Sequence, residues 1–375
     1  MKEKTLKTPY YIIKEKELIQ NLEILKDIKE QSGCKILLAQ KAFSMYSVYP
    51  LISQYLDGAT ASGLYEARLG KEEMNKENHV YAPAYREDEI EEIISYCDHI
   101  VFNSFSQLMK YKQQVKEQGK SIGLRINPEC STQEDHEIYD PCAKGSRLGI
   151  TIENFQEELL EDVDGLHFHT LCEQNSDDLK KTLDAVEEKF GSYLYQMKWM
   201  NFGGGHHITR KDYDRELLID CVRHMKQKYG LEVYLEPGEA IAYQAGSLIT
   251  TVLEFVHNGM DIGILDTSAS CHMPDVLEMP YRPPLKNSWL ANEKAYTYRL
   301  AGPTCLAGDI IGDYSFEEPL KIGQRLEFLD MAIYTMVKNN TFNGMKLPSI
   351  VLEKVDGNLE LVKQFGYEDF KNRLS

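Results

Sequence analysis

The chain has 375 residues, 42% hydrophobic and 27% charged, which suits a soluble globular enzyme with a large core and room for two domains. Its formal charge of −17 argues against nucleic acid, which demands a basic face; it is compatible with a cationic small molecule, though plain solubility is the stronger reading of charge alone. No apolar run nears the roughly 18 residues of a membrane span, and the charged start Met1-Lys2-Glu3-Lys4-Thr5 leads into no signal-like segment. Eight scattered cysteines without a CxxC pair read as reduced thiols, so the expected compartment is the cytoplasm.

In chain order, Thr8-Pro9-Tyr10-Tyr11-Ile12-Ile13 reads as a strand and is followed by a helix from about Lys16 to Glu30. Eight short apolar runs then recur near 35–39, 57–61, 79–82, 99–102, 121–126, 165–169, 198–202 and 232–236. Between them lie segments of helical spacing: Tyr46–Tyr55, Leu64–Met74, Asp88–Tyr96, Ser106–Glu117, Ile152–Leu160, Ser176–Phe190 and Tyr213–Tyr229. Such alternation indicates parallel β/α structure. Eight units in this length predict a (β/α)8, TIM-like barrel over residues 14–245, and no G-x-G-x-x-G opens the first unit to suggest a dinucleotide fold.

After about residue 245 the pattern changes to short β-like runs divided by Gly and Pro turns, at 248–256, 262–265, 296–300 and 325–329. These predict an all-β second domain formed by residues 246–375 together with the N-terminal strand in residues 1–13. Residues 127–146 form a long polar stretch without periodicity, of the kind that functional loops occupy.

Chemically distinctive residues stand where several barrel strands end. Lys41 follows Ile36-Leu37-Leu38-Ala39, His169 follows Gly165-Leu166-His167-Phe168, Gly203-Gly204-Gly205 follows 197–202, and Glu236-Pro237-Gly238 follows Val233-Tyr234-Leu235. A barrel opens all strand C-termini on one face, so these residues converge. A desolvated lysine can form a Schiff base, and glycines allow backbone amides to approach a phosphate. Singly, each has an ordinary reading: a solvated loop lysine, a helix-capping carboxylate, a tight turn. His167, His169 and Cys172 also invite a metal reading, but no HExxH or second H-x-H completes a zinc set, and no metal is expected. In the β domain, Ala301-Gly302-Pro303-Thr304-Cys305 is a turn delivering a thiol, and Asp330-Met331-Ala332-Ile333-Tyr334 brings a strand to a tyrosine; an incidental thiol and a core tyrosine are the plain alternatives.

Taken in order over about residues 8 to 370, these motifs resemble the fold-type III pyridoxal phosphate (PLP) enzymes, which include alanine racemase and the ornithine, arginine and diaminopimelate decarboxylases. Within that group Gln40-Lys41-Ala42-Phe43, 168–174, Glu236-Pro237-Gly238-Glu239 and the stretch 267–283 are similar to the carboxynorspermidine decarboxylases. The resemblance implies PLP as cofactor, with Lys41 as its Schiff-base lysine, His169 stacked on the ring and Glu236 at the pyridine nitrogen. It implies that the Gly203, Gly204 and Gly205 turn, the backbone through Gly238, and Tyr334 hold the phosphate. It further implies a homodimer in which Cys305 reaches the partner's site as the acid that reprotonates the substrate carbon.

Many of these relatives read Glu-Pro-Gly-Arg, whereas the fourth residue here is Glu239. An acid there suits a cationic amine, so the expected substrate is a carboxy-polyamine, with Glu239 and Asp275 as leading contacts and Asp266 and Asp309 as lesser ones. The alternatives are a diaminopimelate or other basic amino-acid decarboxylase, a non-enzymatic PLP-binding protein, and a metal-dependent barrel hydrolase.

Overall fold

The computed structural model describes residues 6–133 and 140–375; part of the polar stretch at 127–146 therefore lies outside the described residues. The chain divides into two compact units, Asn21–Ile241 and, in two pieces, Met1–Gln20 with Ala242–Ser375.

The first strand, β1 (Tyr10–Lys14), leads into a helix over Glu15–Ser32. Eight parallel strands then close on one another: β2 (Lys35–Ala39), β3 (Gly58–Ala61), β4 (Glu77–Tyr81), β5 (His99–Phe102), β6 (Ser121–Arg125), β7 (Gly165–His167), β8 (Trp199–Asn201) and β9 (Glu232–Leu235). β9 pairs back onto β2 through Lys35↔Tyr234 and Ile36↔Leu235, so the sheet has no edge. The (β/α)8 barrel expected from the sequence is present. Its strands are short and apolar because both faces are covered.

The barrel interior is filled rather than open. Leu37, Val101, Trp199 and Tyr234 form one buried cluster. The Trp199 indole fits only because β6 and β7 carry glycines beside it: a Cβ at Gly123 would come within 2.4 Å of its ring and one at Gly165 within 2.1 Å.

One expected helix is absent. Residues 152–160 form two single 3-10 turns, Ile152–Asn154 and Glu157–Leu159, with Phe155 extended between them. The Phe155 ring packs edge-on against Phe105 and Phe190 at 5.5 and 5.3 Å, so aromatic packing overrides the local helical spacing.

The second unit is a nine-stranded sheet. β1 lies inside it, antiparallel to β10 (Gly246–His257). β10 changes partner along its length. Its first half pairs with β15 (Arg325–Leu329) and its second with β11 (Asp261–Leu265), with a register shift between Val252 and Glu254. β11 continues to β13 (Tyr296–Ala301), β14 (Ile310–Phe316) and the short β12 (Trp289–Leu290). On the other side of β1 lie β16 (Ser349–Glu353) and β17 (Leu359–Lys363). The sequence reading had the N-terminal strand in this domain but did not single out β14, β16 or β17. Among the described residues no helix is long and apolar enough to cross a membrane.

Candidate active site

Backbone pairing continues past the strand ends and sets the geometry of the barrel mouth. The Phe168 amide donates to the Asn201 carbonyl, Phe202 to Tyr234, Glu236 to Gly203 at 2.8 Å, and Ala39 to Pro237 at 3.1 Å. Lys41, His169, the glycine turn and Glu236 therefore share one end of the barrel. Gly238 completes this junction: a Cβ there would lie 2.5 Å from Ala42 Cβ, so only glycine lets the Glu236-Pro237-Gly238 turn close against the segment that carries Lys41.

Lys41 Nζ lies 3.2 Å from His169 Nε2, and the Gly204 amide donates to His169 Nδ1 at 2.9 Å. A neutral imidazole that accepts at Nδ1 carries its proton on Nε2, which then faces the lysine. Burial lowers the pKa of Lys41, with Arg125 adding to the shift and Glu236 opposing it; burial also holds His169 well below its ordinary value. His169 is thus held neutral, and burial favours the unprotonated amine at Lys41.

Glu236 behaves in the opposite way. Burial pushes its carboxyl up, but His167 and Asn201 outweigh that and bring it down to about 2. Asn201 Nδ2 donates to Glu236 Oε1 at 2.7 Å, and His167 Nε2 stands 3.6 Å from Oε2. Asn201 also accepts from the Gly203 amide at 2.8 Å, so one amide side chain ties the acid to the glycine turn. Arg125 donates to the His169 carbonyl at 3.0 Å and lies 4.5 Å over the Tyr81 ring.

Gly203 and Gly205 adopt φ of +69° and +81°, and a Cβ at any of the three glycines would collide with a carbonyl of the neighbouring strand ends. The expectation that all three would face a phosphate needs adjustment. The amides of Gly203 and Gly204 already serve Asn201 and His169. His167 and His169 both turn inward, but to different partners, Glu236 and Lys41.

Beyond the turn, Gln174 bridges to His206, which brings Glu173, His207 and Glu239 within 4.8 Å of one another. Glu239 Oε2 is 3.2 Å from His207 Nε2. Sequence reasoning missed Asn201, Arg125 and Tyr81. The signal for the first two was available, a polar residue at the end of an otherwise apolar strand; Tyr81 gave none.

The remaining expected residues lie in the sheet unit. Cys305 is exposed, its amide bound to Asn343 Oδ1 at 2.7 Å. Tyr334 does not end a strand as expected: β15 stops at Leu329, and Tyr334 sits at φ +53° just before a short helix over Thr335–Lys338. Asp275 pairs with Lys338. Asp266 accepts from Thr250, Thr251 and Thr8, and Asp309 is buried among hydroxyl and amide donors. Both of these carboxylates are occupied within their own unit.

A family model described as pyridoxal-dependent decarboxylase, C-terminal sheet domain, matches residues 43–332. The chain belongs to this family. As a PLP-dependent carboxy-lyase it is similar to the carboxynorspermidine/carboxyspermidine decarboxylase of Campylobacter jejuni, 46% identical and covering 98% of both chains. It is also similar to the carboxyaminopropylagmatine decarboxylase of Synechocystis, 42% identical over 99% of this chain and 96% of that one. The structure of the Campylobacter jejuni carboxynorspermidine decarboxylase complexed with norspermidine superimposes with a TM-score of 0.92 at 44% identity, covering 98% of this chain and 100% of that one. The barrel mouth fits PLP: it offers a buried lysine whose pKa burial lowers, a flat neutral imidazole, an ionised carboxylate and a glycine cradle that side chains would fill.

Proposed function

We propose that this decarboxylase removes CO2 from carboxynorspermidine and carboxyspermidine, releasing norspermidine and spermidine. The observation that carries the reading is the full-length identity to the Campylobacter jejuni enzyme. Glu239 supports it, being an acid at a position where many basic amino-acid decarboxylases resembling this chain read arginine.

PLP, when bound, supplies the electron sink that allows a carboxylate to leave the carbon beside an amine. Lys41 would present the amine that attaches it, and burial lowers the pKa of that amine. Glu236, ionised throughout the working pH range, holds the proton at the ring nitrogen by opposite-charge stabilisation. His169 would lie against the ring with its tautomer fixed by the Gly204 amide. The Gly203, Gly204 and Gly205 turn, Gly238 and Tyr334 would hold the phosphate. Glu239 and Asp275 meet the protonated amines of the substrate, whose charge-assisted hydrogen bonds are about twice as strong as neutral ones. When the bond to CO2 breaks, Cys305 supplies the proton that takes its place on carbon. We assign Cys305 to the site of the other copy in a cytoplasmic homodimer, so that each site is complete only in the dimer.

The Synechocystis relative favours a second reading in which the cation is a guanidinium rather than an amine, that is, carboxyaminopropylagmatine. Turnover of the purified holoenzyme on carboxynorspermidine, carboxyspermidine, carboxyaminopropylagmatine and diaminopimelate decides among them. Highest kcat/KM on the first two is expected; preference for either of the others replaces the assignment. Glu239→Gln should raise KM for the polyamine about tenfold, the equivalent of one charge-assisted hydrogen bond, while leaving PLP content unchanged.

A further inference from the structure

The loop that carries Cys305 is anchored from below by a single carboxylate. Pro303 and residues 305–308 are exposed, whereas Asp309 at the end of the same loop is only 2% exposed. Its side chain turns back under the loop. Oδ2 accepts from Thr304 Oγ1 at 2.6 Å and from the Thr304 amide at 3.4 Å. Ser268 Oγ reaches Oδ2 at 2.9 Å and Oδ1 at 3.0 Å, and the Ser270 amide donates to Oδ1 at 3.2 Å. The other side of the carboxylate lies against the loop's first residue: a Cβ at Gly302 would come within 2.2 Å of Oδ2. The backbone closes the loop as well, with Gly302 N–H donating to the Asp309 carbonyl at 2.8 Å. A second pin holds the Cys305 amide to Asn343 Oδ1, from a residue at φ +60°.

We infer that Asp309 is a positioning residue that fixes where the Cys305 thiol is presented. The inference rests on the reading of Cys305 as the proton donor. Two backbone amides and two hydroxyls surround the carboxylate, and its two oxygens accept from all four. This replaces the sequence-based expectation that Asp309 touches substrate, because a cation could reach it only by displacing the donors that shape the loop. An asparagine would turn an NH2 group toward hydroxyl and amide donors and release Thr304, the neighbour of Cys305.

The test is a double-mutant cycle on the full-length holoenzyme with Asp309→Asn and Cys305→Ala, read by kcat, KM and the stereospecificity of deuterium incorporated into the product in D2O. Asp309→Asn should lower kcat about ten- to hundredfold, as expected when a reacting group is misplaced by about an ångström. KM should change little, stereospecificity should be lost, and no further loss should appear in the Cys305→Ala background. Amide hydrogen exchange over 302–309 should accelerate in Asp309→Asn with or without PLP. Thr304→Val, a milder change, should move kcat in the same direction and keeps the test open if Asp309→Asn folds poorly. Parent-like turnover by Cys305→Ala would show that Cys305 is not the donor, and both readings fall. An impaired Cys305→Ala combined with an equal effect of Asp309→Asn in both backgrounds, or with none, overturns the positioning role alone.

Discussion

The two ends of the barrel each bury a carboxylate among histidines, yet only one end is built for chemistry. At the floor, Glu77 accepts from Tyr234 Oη at 2.7 Å, Lys35 Nζ at 2.9 Å and His79 Nε2 at 3.0 Å, with His99 Nε2 at 3.5 Å. His79 and His99 stack with ring centroids 3.9 Å apart. At the mouth, Glu236 has one close donor, Asn201, and a histidine at 3.6 Å. Both acids are pulled below the ordinary carboxylate range although burial alone pushes each of them up. The floor acid is closed in by three near donors, whereas the acid at the mouth keeps one and shares its barrel end with a buried lysine. The number of donors committed to the acid, rather than its charge, separates the reactive end from the structural one.

The largest effect should follow from removing the amine. Lys41→Ala should lose the Schiff-base absorbance of the holoenzyme and retain less than about one part in a thousand of the turnover, with the thermal midpoint of the apoprotein unmoved; substantial turnover would remove Lys41 from the site. Next, Glu236→Gln should keep PLP but lower kcat by about 10²–10³-fold, the size of a lost electrostatic stabiliser, which steady-state kinetics reads directly. The floor should respond in the reverse sense. Glu77→Gln should destabilise the protein by about 1–3 kcal/mol, because several buried donors lose their charged acceptor, while kcat at a permissive temperature stays within about twofold. An unstable Glu236→Gln or an inactive but stable Glu77→Gln would collapse the distinction between the two ends.

The smallest effect concerns pH. Burial, with neighbouring His79, lowers His99 to about 2, against an ordinary value of about 6.5. The unfolded chain therefore binds a proton that the folded chain refuses between those values, so stability falls as pH drops below about 6.5. Glu77, also depressed, adds to the same acid loss below its ordinary range. His99→Gln should flatten the slope of thermal midpoint against pH between about 6.5 and 5; an unchanged slope would mean that His99 is not what makes the floor acid-sensitive.

Much of the barrel mouth was legible in the sequence, because Lys41, His169 and Glu236 each stand at the end of a largely apolar run and a parallel barrel brings such ends together. Arg125 and Asn201 were less visible, since their importance lies in the partners they reach across strands, the His169 carbonyl and Glu236. The glycine turn was found, but the division of its amides was not: the Gly204 amide reaches His169 on a neighbouring strand end, and the Gly203 amide turns back to Asn201 two residues before it.

The sequence by itself determined the alternation of strands and helices, the closed parallel barrel it implies, the β-rich second unit that takes in the N-terminal strand, and the candidate residues at the strand ends. These follow from local apolar periodicity and turn chemistry, which act over a few residues. Tertiary structure alone decided which acids remain available. Asp266 and Asp309 stand as lesser candidates beside Glu239 in the sequence, which does not show that donors from Thr8, Thr250 and Ser268, up to 258 positions away along the chain, occupy them. Hydrogen-bond capacity is consumed by neighbours in space, and one-dimensional spacing carries no record of them.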